Sequence, residues 1–246
     1  MLQRKVVSVV TGLSLLAVPA MVLGEASITG KVLLDGKAPR AKAINMGADP
    51  KCKAMRKGKD LEDETFIVGK DGELANVFVS ISKGLPDKKW EVPKEPVKLS
   101  QEGCQYKPHV FGMMAGQPLE IVNDDATNHN VHSLPKENKE FNFAQPNKGM
   151  TKTLDDIDKP ETFKIKCDVH AWMGTYAHVM EHPFFAVTGE DGTFKIDIAD
   201  LPAGEYELTY WHESGAEETA TIKVEAGKEN KADDMKLEPK KSRRRR

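Results

Sequence analysis

The stretch Thr162-Phe163-Lys164-Ile165-Lys166-Cys167-Asp168-Val169-His170-Ala171-Trp172-Met173 joins a strand pattern to a short loop that is rich in metal-binding side chains. Residues 162–167 alternate in polarity, which predicts a β-strand with one buried face. The loop then places a thiol, an imidazole and a thioether close together in sequence, at Cys167, His170 and Met173. Thiolate and thioether favour Cu(I), whereas imidazole suits both oxidation states. The stretch therefore predicts a copper site at the end of a strand.

A second polar stretch supplies the histidine that this loop lacks. A copper site for electron transfer has two imidazoles and one thiolate, with a weak axial thioether. The strand pattern at residues 118–123 leads into a loop that ends in His129-Asn130-Val131-His132. His129 lies 38 residues before Cys167 (167 − 129). Two loops at one end of a β-sandwich would bring such distant residues together.

Strand and turn patterns fill the rest of the chain, and we find no long helical period. Residues 65–68 and 75–81 flank Asp71-Gly72, which predicts a hairpin. Residues 48–64 are polar and lysine-rich, and they fit either a helical turn or a loop. Beyond His182 the strands are short and separated by regular turns, which is typical of a small β-sandwich. The predicted fold class is all-β, with two β-sandwiches.

The motifs around the candidate site resemble the cupredoxins, the type 1 blue copper proteins, and most closely their amicyanin-like and plastocyanin-like members. The similar pieces are residues 116–119, Asn123, residues 129–132 and residues 167–173. The resemblance implies a Greek-key β-sandwich and a single type 1 copper ion. It assigns the ligand roles to four residues: His129, Cys167, His170 and Met173. His132 falls on the opposite face of an extended segment, so we expect it to point away from the metal.

The same resemblance implies roles for the neighbours of the ligands. The backbone N–H of Asn130 should donate to the Cys167 sulfur, and the Asn130 side chain should tie the two loops together. Asp168 stands where cupredoxins often have Ser or Thr, so a carboxylate near copper is expected to favour Cu(II). The resemblance also places His170 near the surface as the electron port, with Trp172 and Pro135 in a small docking patch for a redox partner.

The C-terminal part resembles the carboxypeptidase-regulatory-like (transthyretin-like) module. Its motifs are Asp191-Gly192-Thr193-Phe194-Lys195-Ile196 and Leu201-Pro202-Ala203-Gly204-Glu205-Tyr206-Glu207-Leu208. Residues 30–39 resemble the first strand of that module, so the first half of the chain is a candidate insertion into it. The predicted organisation is a signal peptide (1–24), a copper domain (25–182) whose N-terminal part contributes a strand to the second domain, a regulatory-like β domain (183–238) and a basic tail (239–246).

The N-terminus has the pattern of an export signal, with two cationic residues before an apolar run at residues 6–18 and small residues near position 24. The alternative is an uncleaved anchor. Cleavage would leave a periplasmic or secreted protein without stable membrane insertion. The chain has three cysteines. With Cys167 assigned to the metal, Cys52 and Cys104 remain, and we expect them to form a disulfide in an oxidising compartment.

Charge and motif content narrow the classes of function. A net charge of −2 gives no indication of nucleic-acid binding, and the basic tail fits either a solvated end or a contact with an anionic surface. Zinc and haem are disfavoured because the chain has no Cys-x-x-Cys motif. The predicted function is a one-electron carrier and not an enzyme, because the sequence has no second histidine cluster for the further copper centre that a copper enzyme needs. The other four histidines are expected to be structural or exposed: His109, His178, His182 and His212. The alternatives are a copper chaperone or store, and a surface β-sandwich module with a secondary copper site.

Overall fold

The structure is a computed structural model that describes residues 26–239 except residues 48, 58 and 60. The predicted signal peptide (1–24) and residues 240–246 of the predicted basic tail lie outside the described residues. Strands make up 45% of the chain and helices 3%, which confirms the all-β fold class. Within residues 26–239 as described, every helix is too short or too polar to cross a bilayer.

The elements are short and follow one another closely along the chain. In chain order they are β1 (Ser27–Leu34), β2 (Ala43–Ile44), α1 (Pro50–Met55), β3 (Leu61–Glu62), a 3-10 turn (Glu64–Phe66), β4 (Phe78–Lys83), β5 (Val97–Gln101), β6 (Tyr106–Lys107), β7 (Val110–Met114), β8 (Leu119–Asn123), β9 (His129–Leu134), β10 (Asn142–Gln145), β11 (Thr151–Leu154), β12 (Glu161–Lys166), β13 (Gly174–Met180), β14 (Phe185–Val187), β15 (Thr193–Asp197), β16 (Gly204–Trp211), β17 (Glu217–Val224), β18 (Glu229–Lys231) and β19 (Met235–Leu237).

The first sandwich, made of strands β5 to β13, has a five-stranded sheet in the order β10-β9-β12-β13-β7 and a four-stranded sheet in the order β11-β8-β5-β6. One apolar cluster takes buried side chains from both sheets. The predicted strands at 118–123 and 162–167 are confirmed as β8 and β12. Phe163 and Ile165 of β12 are buried while their neighbours are not, because a pleated strand points alternate side chains to opposite faces.

The second sandwich draws its strands from both ends of the chain. One sheet has the order β15-β1-β18 with β19 also paired to β1, and the other has the order β14-β4-β16-β17. Their side chains share a second apolar cluster, which includes Ile28 of β1, Ile81 of β4 and Tyr210 of β16. The first sandwich therefore occupies the stretch of sequence between β4 and β14.

The predicted hairpin around Asp71-Gly72 differs from the structure. The turn forms, with Gly72 at φ +90°, but its two arms are joined only over residues 67–75. The Val68–Leu74 bridge lies there, with backbone bonds from Gly69 to Glu73 and from Ala75 to Ile67. Strand β4 pairs instead with β14 and β16. Burial explains this choice, because Val79 and Ile81 are fully enclosed in the second apolar cluster.

The two sandwiches meet at an aromatic junction between β13 and β4. The His178 ring stacks on Phe78 with centroids 3.8 Å apart and meets Trp211 edge-on at 4.5 Å. Gly112 of β7 lies beneath Phe185, and a Cβ placed there would come within 2.4 Å of that ring. The junction therefore needs a residue without a side chain on β7.

Candidate metal centre

Four side chains predicted as ligands lie buried at one end of the first sandwich. His129, Cys167, His170 and Met173 are 0%, 2%, 1% and 2% exposed. The Nδ1 atoms of His129 and His170 are 3.0 Å apart, and the Cys167 Sγ lies 3.7 Å from Nδ1 of His170. One donor atom from each of His129, Cys167 and His170 lies within 4.8 Å of the others. The structure thus brings two imidazoles and one thiol to a common point.

Strand pairing explains how residues far apart in sequence meet. Strands β9 and β12 are antiparallel neighbours, and Lys166 at the end of β12 pairs with His132. Strand β9 begins three residues earlier, so His129 extends past the end of β12 and over the loop that follows. Side chains alternate along β9, and His129 and Val131 are fully buried. His132 lies on the other face, where it contacts Asp168 and Glu140.

The loop between β12 and β13 is held by its own backbone. The Cys167 N–H donates to the Met173 carbonyl at 3.1 Å, and the Met173 N–H donates to the His170 carbonyl at 2.9 Å. These two bonds bring the first and last candidate ligands of the loop together. The Met173 side chain packs in the apolar cluster of the first sandwich. The adjacent Trp172 donates its indole N–H to the Cys104 carbonyl at 3.0 Å.

Each ligand-type imidazole has a carboxylate on its outer nitrogen. His129 Nε2 is 2.9 Å from Asp125 Oδ2, and His170 Nε2 is 2.8 Å from Asp49 Oδ2. A carboxylate at one ring nitrogen fixes the tautomer and leaves the other nitrogen's lone pair for a metal. Since the Nδ1 atoms face the thiol, both rings are oriented with their free nitrogen towards the candidate site.

The electrostatics of the cluster favour an ionised thiol. Burial alone would raise the pKa of Cys167, but hydrogen bonds from His129 and His170 outweigh it and lower the pKa to about 6. For His129, burial opposes the proton, yet the contacts with Asp125 and Cys167 raise the pKa to about 9. The hydrogen bond to His170 is the main cause that lowers the pKa of the Asp49 carboxyl. At neutral pH these shifts favour a thiolate at Cys167 beside a protonated His129 ring.

Of the two residues predicted to support the ligands, Asn130 contacts the candidate site and the Asp168 side chain does not. The Asn130 N–H points to the Cys167 sulfur at 3.5 Å, and the Asn130 side-chain oxygen accepts from the Asp168 N–H at 2.8 Å. Asn130 therefore ties the two ligand loops together. The Asp168 carboxylate faces outward, where it contacts Lys166 and His132. The carboxylates beside the ligand rings belong to Asp49 and Asp125.

The expectation that His170 lies near the surface is wrong. Helix α1 covers its outer edge, where Asp49 and the Cys52 Sγ, 3.4 Å away, flank Nε2. Cys52 and Cys104 are joined by a disulfide with an S–S distance of 2.01 Å, and Cys167 is the free cysteine. Residues 48–64, which the sequence left open between helix and loop, thus contain a short helix over the candidate site.

Sequence reasoning missed Asp49 and Asp125. Asp125 lies four residues before His129 in a loop with two adjacent acidic residues, and nothing in the sequence distinguishes the buried one. Asp49 precedes Pro50, a pattern that predicts a helix start, but the sequence gives no sign that this helix reaches His170. The four remaining histidines lie elsewhere: His109 contacts Glu213, and three others are buried without a carboxylate contact within hydrogen-bond range among the described residues: His178, His182 and His212.

No protein-family model and no curated protein matches this chain. Three solved structures are similar to part of it. A Cu-containing nitrite reductase from Thermus scotoductus is 18% identical over 41% of this chain and 26% of its own, with a TM-score of 0.34. A purple cupredoxin from Nitrosopumilus maritimus is 20% identical over 33% of this chain and 97% of its own, with a TM-score of 0.29. An amicyanin mutant in the Cu(I) form is 19% identical over 41% of this chain and 97% of its own, with a TM-score of 0.31.

These similar structures are cupredoxins or copper proteins by name, and they cover less than half of this chain. The chain spans about a quarter of the nitrite reductase. These similarities do not confirm the predicted regulatory-like module for the second sandwich. The candidate site therefore stands on the residues of this chain, which include His and Cys groups able to hold a metal ion.

Proposed function

We propose that this chain is an exported type 1 copper protein that carries single electrons, with one copper ion held by His129, Cys167, His170 and Met173. The observation that carries this proposal is the convergence of a free, buried thiol with two oriented imidazoles. The donor set fits copper, because a His₂Cys plane with a weak thioether suits both Cu(I) and Cu(II). When bound, copper would supply the one-electron couple.

The protein's part in this function is to hold the ligands in place. Asp125 and Asp49 orient the two imidazoles, and the Asn130 N–H donates to the thiolate. The ligands start from paired strands and a loop closed by its own backbone bonds, so they can keep one arrangement in both oxidation states. Burial excludes water from the thiolate. A copper store or chaperone needs a site that opens for transfer, and the buried ligands favour the carrier over that alternative.

A surface depression reaches two of the candidate ligands. It is about 380 Å³ in volume, and Cys167 and Met173 form part of its lining together with Leu134 and Trp172. Leu134 is an exposed large apolar residue. Since the His170 edge is covered, we place the transient docking of a redox partner at this depression. Pro135 and Trp172, the patch expected from the sequence, lie next to or within it.

The second sandwich is proposed as a carboxypeptidase-regulatory-like domain that supports the copper domain and is not an enzyme. We propose residues 25–182 for the copper domain and residues 183–238 for the second domain, with β1 and β4 joining the sheets of the second domain. Because strands from the N-terminal half complete the sheets of the second domain, the two domains are expected to fold together, and the C-terminal residues are not expected to form a separate domain.

A redox titration of the copper-loaded protein tests the carrier function. We expect a reversible one-electron transition in the visible spectrum, and Met173→Leu should keep the colour and shift the potential. A store or chaperone would instead bind Cu(I) in preference and remain colourless. A colourless protein with no reversible transition would contradict the proposal.

A further inference from the structure

We infer that the Cys52–Cys104 disulfide and its two neighbouring carboxylates form one positioning unit for both ligand imidazoles, with Asp49 as the residue that closes the His170 edge. The inference rests on the proposed copper site and names residues that would shift its balance between Cu(I) and Cu(II). It concerns Asp49, Asp125 and the disulfide, which contact the two candidate ligand imidazoles.

Asp49 uses both oxygens of its carboxylate. Oδ1 accepts from the N–H groups of Lys51 and Cys52, at 2.9 and 3.1 Å, and so caps helix α1. Oδ2 contacts His170 Nε2 at 2.8 Å. The position of the carboxylate on the ligand ring is therefore set by the start of the helix, and any shift of α1 moves Asp49 away from His170.

Asp125 is fixed in a matching way at the other end of the disulfide. Its Oδ2 accepts from the Cys104 N–H at 2.8 Å and also contacts His129 Nε2 at 2.9 Å. Its Oδ1 accepts from the Gly103 N–H at 2.7 Å. Each half of the disulfide thus donates a backbone hydrogen bond to the carboxylate that orients one ligand imidazole, Cys52 to Asp49 and Cys104 to Asp125.

The covalent bond links these two halves across the site. Asp49 caps, and Cys52 belongs to, a helix of only six residues, and an isolated helix of this length is unstable in water. The bridge to Cys104 holds it against the first sandwich, where both cysteines are completely buried. The disulfide therefore keeps His170 enclosed as well as oriented.

Two carboxylates on the outer nitrogens of the candidate ligand rings give the site more negative charge than its ligands alone. A carboxylate at the outer nitrogen also makes an imidazole a more basic ligand. Both effects favour Cu(II) over Cu(I), so removing either carboxylate should weaken Cu(II) binding and raise the reduction potential. Loss of an outer partner of a ligand histidine typically lowers metal affinity about 10–100-fold.

Asp49→Asn tests the orienting role without removing the helix cap, because Asn also caps helices well. We expect Cu(II) affinity to fall about 10–100-fold and the potential to rise. The matched control is Asp63→Asn, which caps the 3-10 turn in the same segment through the Thr65 N–H and has no contact with His170. Unchanged affinity and potential in Asp49→Asn would overturn the inference, and equal changes in both variants would do so as well.

The metal-free protein provides a second readout that does not depend on copper. Diethyl pyrocarbonate acylates accessible imidazoles, and mass spectrometry locates the modified residue. We expect His170 to be unreactive in the wild type and reactive in the double variant Cys52→Ser/Cys104→Ser, with Asp49→Ala giving the same exposure if the double variant does not fold. Continued protection of His170 in a folded variant would contradict the positioning role of the disulfide and α1.

The two levels of the proposal fail in different ways. A wild-type protein that forms no blue copper site would refute the proposed function, whereas the acylation pattern would still report whether α1 encloses His170. A blue wild type whose colour, affinity and potential are all unchanged in Asp49→Asn would refute this inference alone.

Discussion

Buried histidines occur in two regions of the first sandwich, and their surroundings are opposite in chemistry. His129 and His170 at the candidate metal centre have carboxylates on their outer nitrogens and a thiol between them. His178 at the junction lies between Phe78 and Trp211, and its Nδ1 shares a 2.8 Å hydrogen bond with the Thr162 hydroxyl. Burial lowers the pKa of His178 to about 3, whereas the pKa of His129 is raised to about 9.

The comparison shows that burial of a histidine does not by itself indicate a metal site. Desolvation disfavours the charged ring in both regions. Of these two regions, the candidate metal centre is the one where acidic partners outweigh burial, and a second donor approaches the inner nitrogen there. His178 is a neutral packing group, which agrees with the expectation that it is structural. The arrangement of donors, and not the depth of the ring, therefore defines the candidate site.

The largest expected effect is the loss of the copper site in His129→Gln. The substitution removes one of two inward-facing imidazoles, so the blue colour should disappear and Cu(II) should bind weakly. The matched control is His132→Gln on the same strand, because that ring lies on the opposite face. Visible spectra of both variants with one equivalent of Cu(II) measure the effect. Equal loss of colour in the two variants would break the distinction between the faces of β9.

The second largest expected effect is a lower free energy of unfolding when the disulfide is removed. The bridge closes a loop with a sequence separation of 52 residues, which restricts the unfolded chain and corresponds to about 4 kcal/mol. Guanidinium unfolding of metal-free Cys52→Ala/Cys104→Ala against the wild type measures the difference. An unchanged midpoint would show that α1 and its bridge contribute nothing to the fold.

The junction should show its own pH dependence through His178. The folded pKa, about 3, lies below the ordinary value of 6.5, so the unfolded chain takes up the proton first as the pH falls. Stability from this group is therefore lost between pH 6.5 and pH 3, and the loss at pH 4 is about 3 kcal/mol. In His178→Gln this part of the acid destabilisation should vanish. Urea unfolding at pH 7 and pH 4 checks it, and parallel profiles for both proteins would contradict the assignment.

A smaller effect is expected for Gly112→Ala at the same junction. The added methyl group would meet the Phe185 and Phe78 rings, so overpacking should cost about 1–3 kcal/mol. Gly189→Ala is a suitable control, since the nearest atom there is the Asp191 side-chain oxygen at 3.3 Å. Thermal unfolding should separate the two variants. Equal midpoints would mean that the sandwiches separate easily at β7.

Local patterns predicted much of the fold and part of the site. Alternating polarity identified β8 and β12 because each strand buries one face, and soft donors in one loop identified Cys167, His170 and Met173 as candidates. The pairing of β1 and β4 with strands near the C-terminus needs contacts between distant segments. The resemblance at residues 30–39 indicated it for β1, and nothing in the sequence indicated it for β4. Asp49 reaches His170 across 121 positions of sequence, so no local pattern reveals it.

The wrong expectation that His170 lies near the surface also comes from a contact between segments that are distant in sequence. A short loop with an exposed histidine follows from the resemblance alone, whereas the covering helix comes from a segment that the resemblance does not include. Asp168 was singled out because it is adjacent to Cys167 in sequence, yet its backbone direction turns the carboxylate outward to Lys166. Adjacency in sequence is a poor guide to the surroundings of a buried ligand.

The proposed function depends on one copper ion being bound by His129, His170 and the Cys167 thiolate together. Electron-paramagnetic resonance and visible spectra of the protein loaded with one equivalent of Cu(II) test it most directly. A strong blue thiolate band with narrow copper hyperfine splitting is the predicted result, and both features should be absent in Cys167→Ser. A colourless wild-type complex with ordinary, wide splitting would contradict the claim.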